Sequence, residues 1–164
     1  MYFDHIEEKE AVKKAALIEE NGLKFYTLLA EHTDDAKAKS VFKRLAGEET
    51  KHLKLIEGKF FPEVGYNEQI TDEEVALEEY IEKTGGADIF TKRIDVAALI
   101  RLIDHPRKAL IVALDTERHS VEFFDNLSKK VRSEEARAIY RELADEERSH
   151  VRHIEDLLKS APSF

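Results

Sequence analysis

A Glu-x-x-His segment occurs twice in this chain, and this repeat constrains the fold more than any other feature. Residues 45–52 read LAGEETKH, and residues 143–150 read LADEERSH. The copies lie 98 positions apart, and the match extends upstream without a gap, so that Glu19 aligns with Glu117. In each half, 30 positions separate that upstream Glu from the Glu of Glu-x-x-His. The chain is therefore an internal duplication whose repeated part contains carboxylates and imidazoles at fixed spacing.

Apolar residues recur with helical spacing in both halves, which predicts an all-α protein. Short joints capped by Asp35 and Ser133 make each half a pair of antiparallel neighbours. The longer stretch between the halves suits a crossover connection containing a short helix, which Thr71 begins as a capping residue and Gly85 ends. We expect one domain over residues 1–164, an antiparallel four-helix bundle built from two duplicated helix pairs joined by this long crossover. The long helices are predicted at about residues 6–32, 35–59, 106–131 and 133–158, with a short helix at about 71–83 and a helical lead-in at about 95–103.

The repeated carboxylates and imidazoles have the spacing of metal ligands. A Glu and a His three residues apart on a helix share one face, so each Glu-x-x-His can offer two ligands to one ion. Glu19 alone, within an apolar stripe, reads as a boundary salt bridge, but two copies at identical offsets are hard to obtain from helix packing. Four carboxylates and two neutral imidazoles offset most of the charge of two divalent cations, and iron and manganese accept these donors. The predicted ligands are Glu19, Glu49, His52, Glu117, Glu147 and His150.

Pseudo-symmetry suggests how these ligands divide between two ions. The glutamates of the Glu-x-x-His segments are expected to bridge the metals. The upstream Glu and the His of the same half would then be terminal ligands, although this pairing could be crossed. Glu48 and Glu146 are rotated by about 100° from the ligands, so we expect them to face solvent. His153 aligns with Leu55 and falls outside the symmetric set. A duplicated bundle with a vestigial polar centre is the alternative to a metal site.

Composition excludes several other functions. The formal net charge of −9 argues against nucleic-acid binding, because phosphate contacts need a basic face. The chain contains no Cys, which excludes disulfides, zinc–thiolate sites and thiol catalysis. No apolar window approaches the length of a membrane span, and the N-terminus has no basic region followed by an apolar run. We therefore expect a cytoplasmic protein that binds neither membrane nor nucleic acid.

Residues 18–26 and 45–52, together with their repeats, resemble the rubrerythrin-like branch of the ferritin superfamily. This resemblance implies a ferritin-like bundle with a non-haem di-iron centre that reduces hydrogen peroxide or dioxygen, as a peroxidase or a ferroxidase. The cofactor would be two Fe ions, with Mn or a mixed pair also compatible, and the protein would be a homodimer or a larger homo-oligomer. The catalytic site would consist of the six ligands and Tyr26, whose hydroxyl could hydrogen-bond a ligand carboxylate.

Three features differ from full-length rubrerythrins. Without Cys there is no rubredoxin domain, so a separate protein must donate electrons. Ser120 stands where rubrerythrins place an additional Glu, three residues after the ligand of the third long helix. Phe124 is the counterpart of Tyr26, so the hydroxyl occurs in one half only. Iron binding or storage is the alternative function, and an interaction protein on the same scaffold is a third.

Overall fold

The described part of the chain is helical, with no strand in it, which confirms the all-α prediction. The computed structural model describes residues 5–65, 73–103 and 105–160. Its helices are α1 (His5–His32), α2 (Ala36–Lys59), α3 (Phe61–Val64), α4 (Leu77–Thr84), α5 (Val96–Leu102), α6 (Pro106–Lys130) and α7 (Glu134–Ser160), with a 3-10 turn at Ile89–Thr91. None of these helices is both long enough and apolar enough to span a membrane.

Local sequence explains most helix ends. The Asp35 carboxylate accepts a hydrogen bond from the Ala38 backbone N–H at 2.8 Å and caps α2. The Ser133 hydroxyl caps α7 by accepting from the Ala136 N–H at 3.2 Å. Gly65 and Gly85 end α3 and α4 in the left-handed conformation, with φ of 81° and 83°. The ends at Asp35, Ser133 and Gly85 match the predicted ones, whereas α3, which Gly65 closes, was not predicted.

The start of the short crossover helix was predicted too early. α4 begins at Leu77, and residues 73–76 are not helical. The Val75 N–H donates to the Arg93 carbonyl at 2.9 Å, so this segment pairs with a distant part of the chain instead of entering the helix. Thr71, the predicted capping residue, lies outside the described residues.

The helices form two pairs, α1 with α2 and α6 with α7, and the contacts between the pairs are sparser. The duplication is visible in the core. Tyr26 stacks on Phe42 with ring centroids 6.2 Å apart, and the repeat-equivalent residues Phe124 and Tyr140 stack at the same 6.2 Å. Each helix pair therefore has its own aromatic layer, with the same geometry in both halves.

The crossover is fastened to α1 through Asn21. This buried side chain donates to the carbonyls of Phe90 and Lys92, at 2.9 and 2.8 Å. The Phe90 ring packs edge-on against Phe25, with centroids 5.4 Å apart. The connection consequently lies along the helix that carries Glu19, with Asn21 only two residues away from it.

Candidate metal centre

The six sequence-predicted ligands meet in the interior of the bundle. Each comes from one of the four long helices, and none is more than 4% exposed. One turn of α2 presents a Glu and a His to the interior, one turn of α7 does the same, and α1 and α6 each add one Glu. A packed core made mostly of apolar side chains thus contains four carboxylates and two imidazoles.

These side chains form two overlapping groups, each with ligand atoms within 4.8 Å of one another. Two glutamates, Glu49 and Glu147, belong to both groups. The other members divide by half of the chain: Glu19 and His52 in the first group, Glu117 and His150 in the second. Each group therefore contains residues from both helix pairs, and the two glutamates of the Glu-x-x-His segments lie between the groups.

Both imidazoles turn Nδ1 inward. His52 Nδ1 lies 3.3 Å from Glu19 Oε2 and 3.2 Å from Glu147 Oε1. His150 Nδ1 lies 3.2 Å from Glu49 Oε1 and 3.1 Å from Glu147 Oε2. The two rings stack with centroids 5.8 Å apart. Two nitrogen donors consequently face the carboxylates from the same side of the cluster.

The outward nitrogens contact two glutamates that the sequence analysis placed in solvent. His52 Nε2 pairs with Glu146, and His150 Nε2 lies 2.5 Å from Glu48 Oε2. Each contact crosses from one helix pair to the other, because α2 and α7 lie side by side. Both side chains keep substantial exposure, 37% for Glu48 and 46% for Glu146, as expected, but the sequence analysis did not predict their contacts with the imidazoles. A carboxylate on the second imidazole nitrogen fixes which nitrogen carries the proton and so leaves Nδ1 free to bind a metal.

A signal for these two residues existed in the sequence. Glu48 and Glu146 occupy equivalent positions in the repeat, each directly before the Glu of Glu-x-x-His. Glu20 also adjoins a predicted ligand, but its counterpart in the second half is the basic residue Arg118, so the repeat does not place a carboxylate at this position twice. The Glu20 side chain is 40% exposed and pairs with Lys24 at 3.0 Å instead of with a group of the cluster.

Several buried atoms of the cluster have no hydrogen-bond partner among the described residues. They are both carboxylate oxygens of Glu19, Oε2 of Glu49, Oε2 of Glu147 and Nδ1 of His150. Buried polar atoms are rarely left without partners, because desolvating them is costly. Oxygen and imidazole donors without partners, gathered within 4.8 Å, are the donor set that iron and manganese accept. The residues present therefore fit a pair of such ions.

Without metal, the cluster retains protons. Burial raises the pKa of Glu19 well above its usual range, and the charges of Glu49 and Glu147 add to this. Burial also raises the pKa of Glu117 to about 8. Burial alone would lower the pKa of His52, but the surrounding carboxylates, Glu147 first, raise it, and the same balance raises the pKa of the other imidazole. A metal ion entering the cluster must displace these protons.

One hydrogen bond distinguishes the two halves. The Tyr26 hydroxyl donates to Glu117 Oε1 at 2.5 Å, so the sequence-based prediction that it bonds a ligand carboxylate agrees with the structure. Burial and the adjacent Glu117 raise the pKa of Tyr26, so it remains a donor. Phe124 supplies no equivalent hydroxyl, and the Ser120 hydroxyl donates to the backbone carbonyl of Thr116 at 2.9 Å.

The other described histidines lie outside both groups. His153 is half-buried, and burial with the nearby Arg44 lowers its pKa. His32 contacts the Leu28 carbonyl, and the His105 Nδ1 accepts from the Arg107 N–H at the start of α6. Both contacts lie at helix ends.

Comparison with known proteins gives a family and a fold. The family model described as rubrerythrin matches residues 10–99, more than half of the chain and including three of the six clustered residues. Among solved structures, the chain is similar to a hypothetical protein from Pyrococcus furiosus, with 22% sequence identity and a TM-score of 0.64 over 92% of this chain and 89% of that one. At this identity the likeness shows a common fold alone. No curated protein matches this chain.

Proposed function

This chain belongs to the rubrerythrin family, and from that premise we propose that its buried cluster binds two iron ions and transfers electrons to hydrogen peroxide or dioxygen. The supporting observation is the pair of overlapping groups, in which Glu49 and Glu147 are common to both. A carboxylate within reach of two positions can hold two cations side by side. The buried, partnerless oxygens around it give those cations their remaining donors.

Two bound iron ions would supply the exchange of two electrons with the oxidant, and the protein would control their surroundings. Glu48 and Glu146 hold the outward imidazole nitrogens, which keeps both Nδ1 atoms directed at the metal positions. Tyr26 fixes one oxygen of Glu117 and leaves the other oxygen of that carboxylate free of this bond. The near-complete burial of the cluster excludes bulk water.

The remaining features of this proposal come from the sequence. Because the chain has no Cys, it carries no thiolate-ligated iron of its own, and we propose that a separate protein returns the electrons. Assembly as a homodimer and a cytoplasmic location stay predictions. Manganese is accepted by the same donors and is therefore the second metal to test.

The first experiment is an anaerobic Fe(II) titration of the metal-free protein. We expect two tightly bound ions per chain. Glu49→Ala should abolish tight binding of both, because its carboxylate is shared. Glu20→Ala is the matched control, since Glu20 is an exposed glutamate next to a predicted ligand, and it should leave both ions bound. No tight binding of iron, and then none of manganese, would contradict the metal site.

The second experiment adds hydrogen peroxide or dioxygen to the reduced, iron-loaded protein. Rapid oxidation, followed by repeated turnover when a reductant is supplied, would support an oxidoreductase. Oxidation that stops after one cycle with every reductant tried would instead favour iron binding without catalysis. The preferred oxidant is the one with the larger rate constant under identical conditions.

A further inference from the structure

A glycine lies in the interior of α1 beside the metal cluster. Gly22 follows Glu19 by one helical turn and is buried. Glycine is the least favourable residue in a helix interior after proline, because it loses the most backbone freedom on folding. A buried glycine in the middle of a 28-residue helix therefore calls for a structural reason.

The reason is the Glu49 side chain on α2. A Cβ atom built on Gly22 would lie 3.3 Å from Cδ of Glu49, 3.5 Å from its Cγ and 3.6 Å from its Oε1. Two other helical glycines, Gly47 and Gly58, have no atom within 4 Å of such a Cβ. Among these three helical glycines, Gly22 is the one at which a predicted ligand, Glu49, packs against the space that a side chain would occupy.

Glu49 has little freedom to move away. Its Oε1 lies 3.2 Å from His150 Nδ1 and its Oε2 lies 3.7 Å from His52 Nδ1. A methyl group at Gly22 would require Glu49 to shift by a few tenths of an ångström, which would change the distances from its oxygens to the two imidazoles. Metal-free protein can absorb this shift, whereas a carboxylate bound to two ions at once cannot.

The equivalent position in the other half has a side chain. Ser120, 98 positions after Gly22, is buried and turns its hydroxyl back onto the Thr116 carbonyl. The duplication therefore does not require glycine here. Glycine is required at this position only in the first half, where Glu49 packs against α1.

We propose that Gly22 is a positioning residue: the absence of its side chain lets the Glu49 carboxylate reach both metal positions, so that the centre holds two ions instead of one. This inference rests on the proposed function. It predicts an effect on the pair of ions that is separate from the stability of the fold.

The test compares Gly22→Ala with Gly47→Ala and Gly58→Ala. In metal-free protein, all three should melt at or above the wild-type temperature, because alanine favours the helix. In an anaerobic Fe(II) titration, the two controls should bind two ions as wild type does. Gly22→Ala should bind the second ion at least about tenfold more weakly, the size of effect seen when groups that orient metal ligands are changed. The rise in melting temperature on adding Fe(II) should shrink in this variant alone.

A second variant keeps the test decisive if Gly22→Ala is less stable than expected. In the Glu49→Ala background the new methyl group meets no carboxylate, so adding Gly22→Ala should raise the melting temperature as Gly47→Ala does. Destabilisation by Gly22→Ala in that background, or wild-type affinity for both ions in the single variant, would overturn the proposal. Wild-type protein that binds no ions would instead refute the proposed function, and the melting comparison in the Glu49→Ala background would still report on the Gly22 contact.

Discussion

The two halves of the metal cluster have the same charged groups but different neighbours. Each half supplies two glutamates and one histidine at identical spacing. The first half has Tyr26 and Gly22 beside these groups, where the second has Phe124 and Ser120. The structure gives both differences a consequence, since Tyr26 holds Glu117 and Gly22 makes room for Glu49. Duplication explains the charged groups, but the neighbours make the two groups of candidate ligands unequal.

The largest expected effect separates shared from unshared ligands. Glu19→Ala should remove the ion of the first group and leave the second, and Glu117→Ala should do the reverse. Glu147→Ala should lose both, because its oxygens lie within 3.2 Å of both imidazole Nδ1 atoms. The measurement is the number of metal ions per chain after anaerobic gel filtration. If Glu19→Ala loses both ions, the two halves do not form separate positions.

The second effect is a dependence of metal binding on pH, to which Glu117 of the second half contributes. In metal-free protein the pKa of Glu117 is about 8 instead of about 4.5. Its protonated form is therefore favoured by folding, so its contribution to stability is full below pH 4.5 and is lost as pH rises through 8. An ion in that group must release this proton as well as that of the imidazole, and the Glu117 proton by itself should raise the affinity by about tenfold per pH unit below pH 8.

Calorimetric titration at several pH values, in buffers with different ionisation enthalpies, measures that proton release. Glu117→Gln is the control, because its amide keeps an oxygen in place but carries no titrating proton, so the protons released per bound ion should fall. An unchanged number of released protons in Glu117→Gln would contradict the assignment to Glu117.

The smallest expected effect is on stability, when Tyr26 is changed to the residue at its equivalent position in the second half. Tyr26→Phe copies Phe124 and leaves Glu117 Oε1 without its buried donor. We expect the metal-free protein to lose about 1–3 kcal/mol of unfolding free energy, the usual cost of an unpaired buried polar group. Urea denaturation measures this loss. Tyr140→Phe is the control, because Tyr140 is also a buried tyrosine but lies outside both metal groups. Equal losses of unfolding free energy in both variants would show that the hydrogen bond to Glu117 does not contribute more than the tyrosine hydroxyl of Tyr140.

The sequence was sufficient for the helices and the clustered residues because both depend on spacing along the chain. A period of 3.6 predicts a helix, and a Glu and a His three apart share a face in any helix. The missed features depend on contacts between segments. Val75 leaves the helical pattern because it bonds Arg93, and Glu48 reaches a histidine only because α2 and α7 are adjacent. The closeness of Gly22 to Glu49 is likewise a property of helix packing that spacing does not contain.

Because the two helix pairs share few contacts, the cluster contributes to holding them together. Contacts within each pair are extensive, so each pair can form from nearby parts of the chain, whereas fewer contacts join the two pairs. Every group of the cluster includes side chains from both pairs, and the contacts of Glu48 and Glu146 also run from one pair to the other. An ion bound there would cross-link the two helix pairs. Removal of the ion would first weaken the interface between the two helix pairs. Backbone amide hydrogens at that interface would then exchange with solvent sooner than those inside either pair.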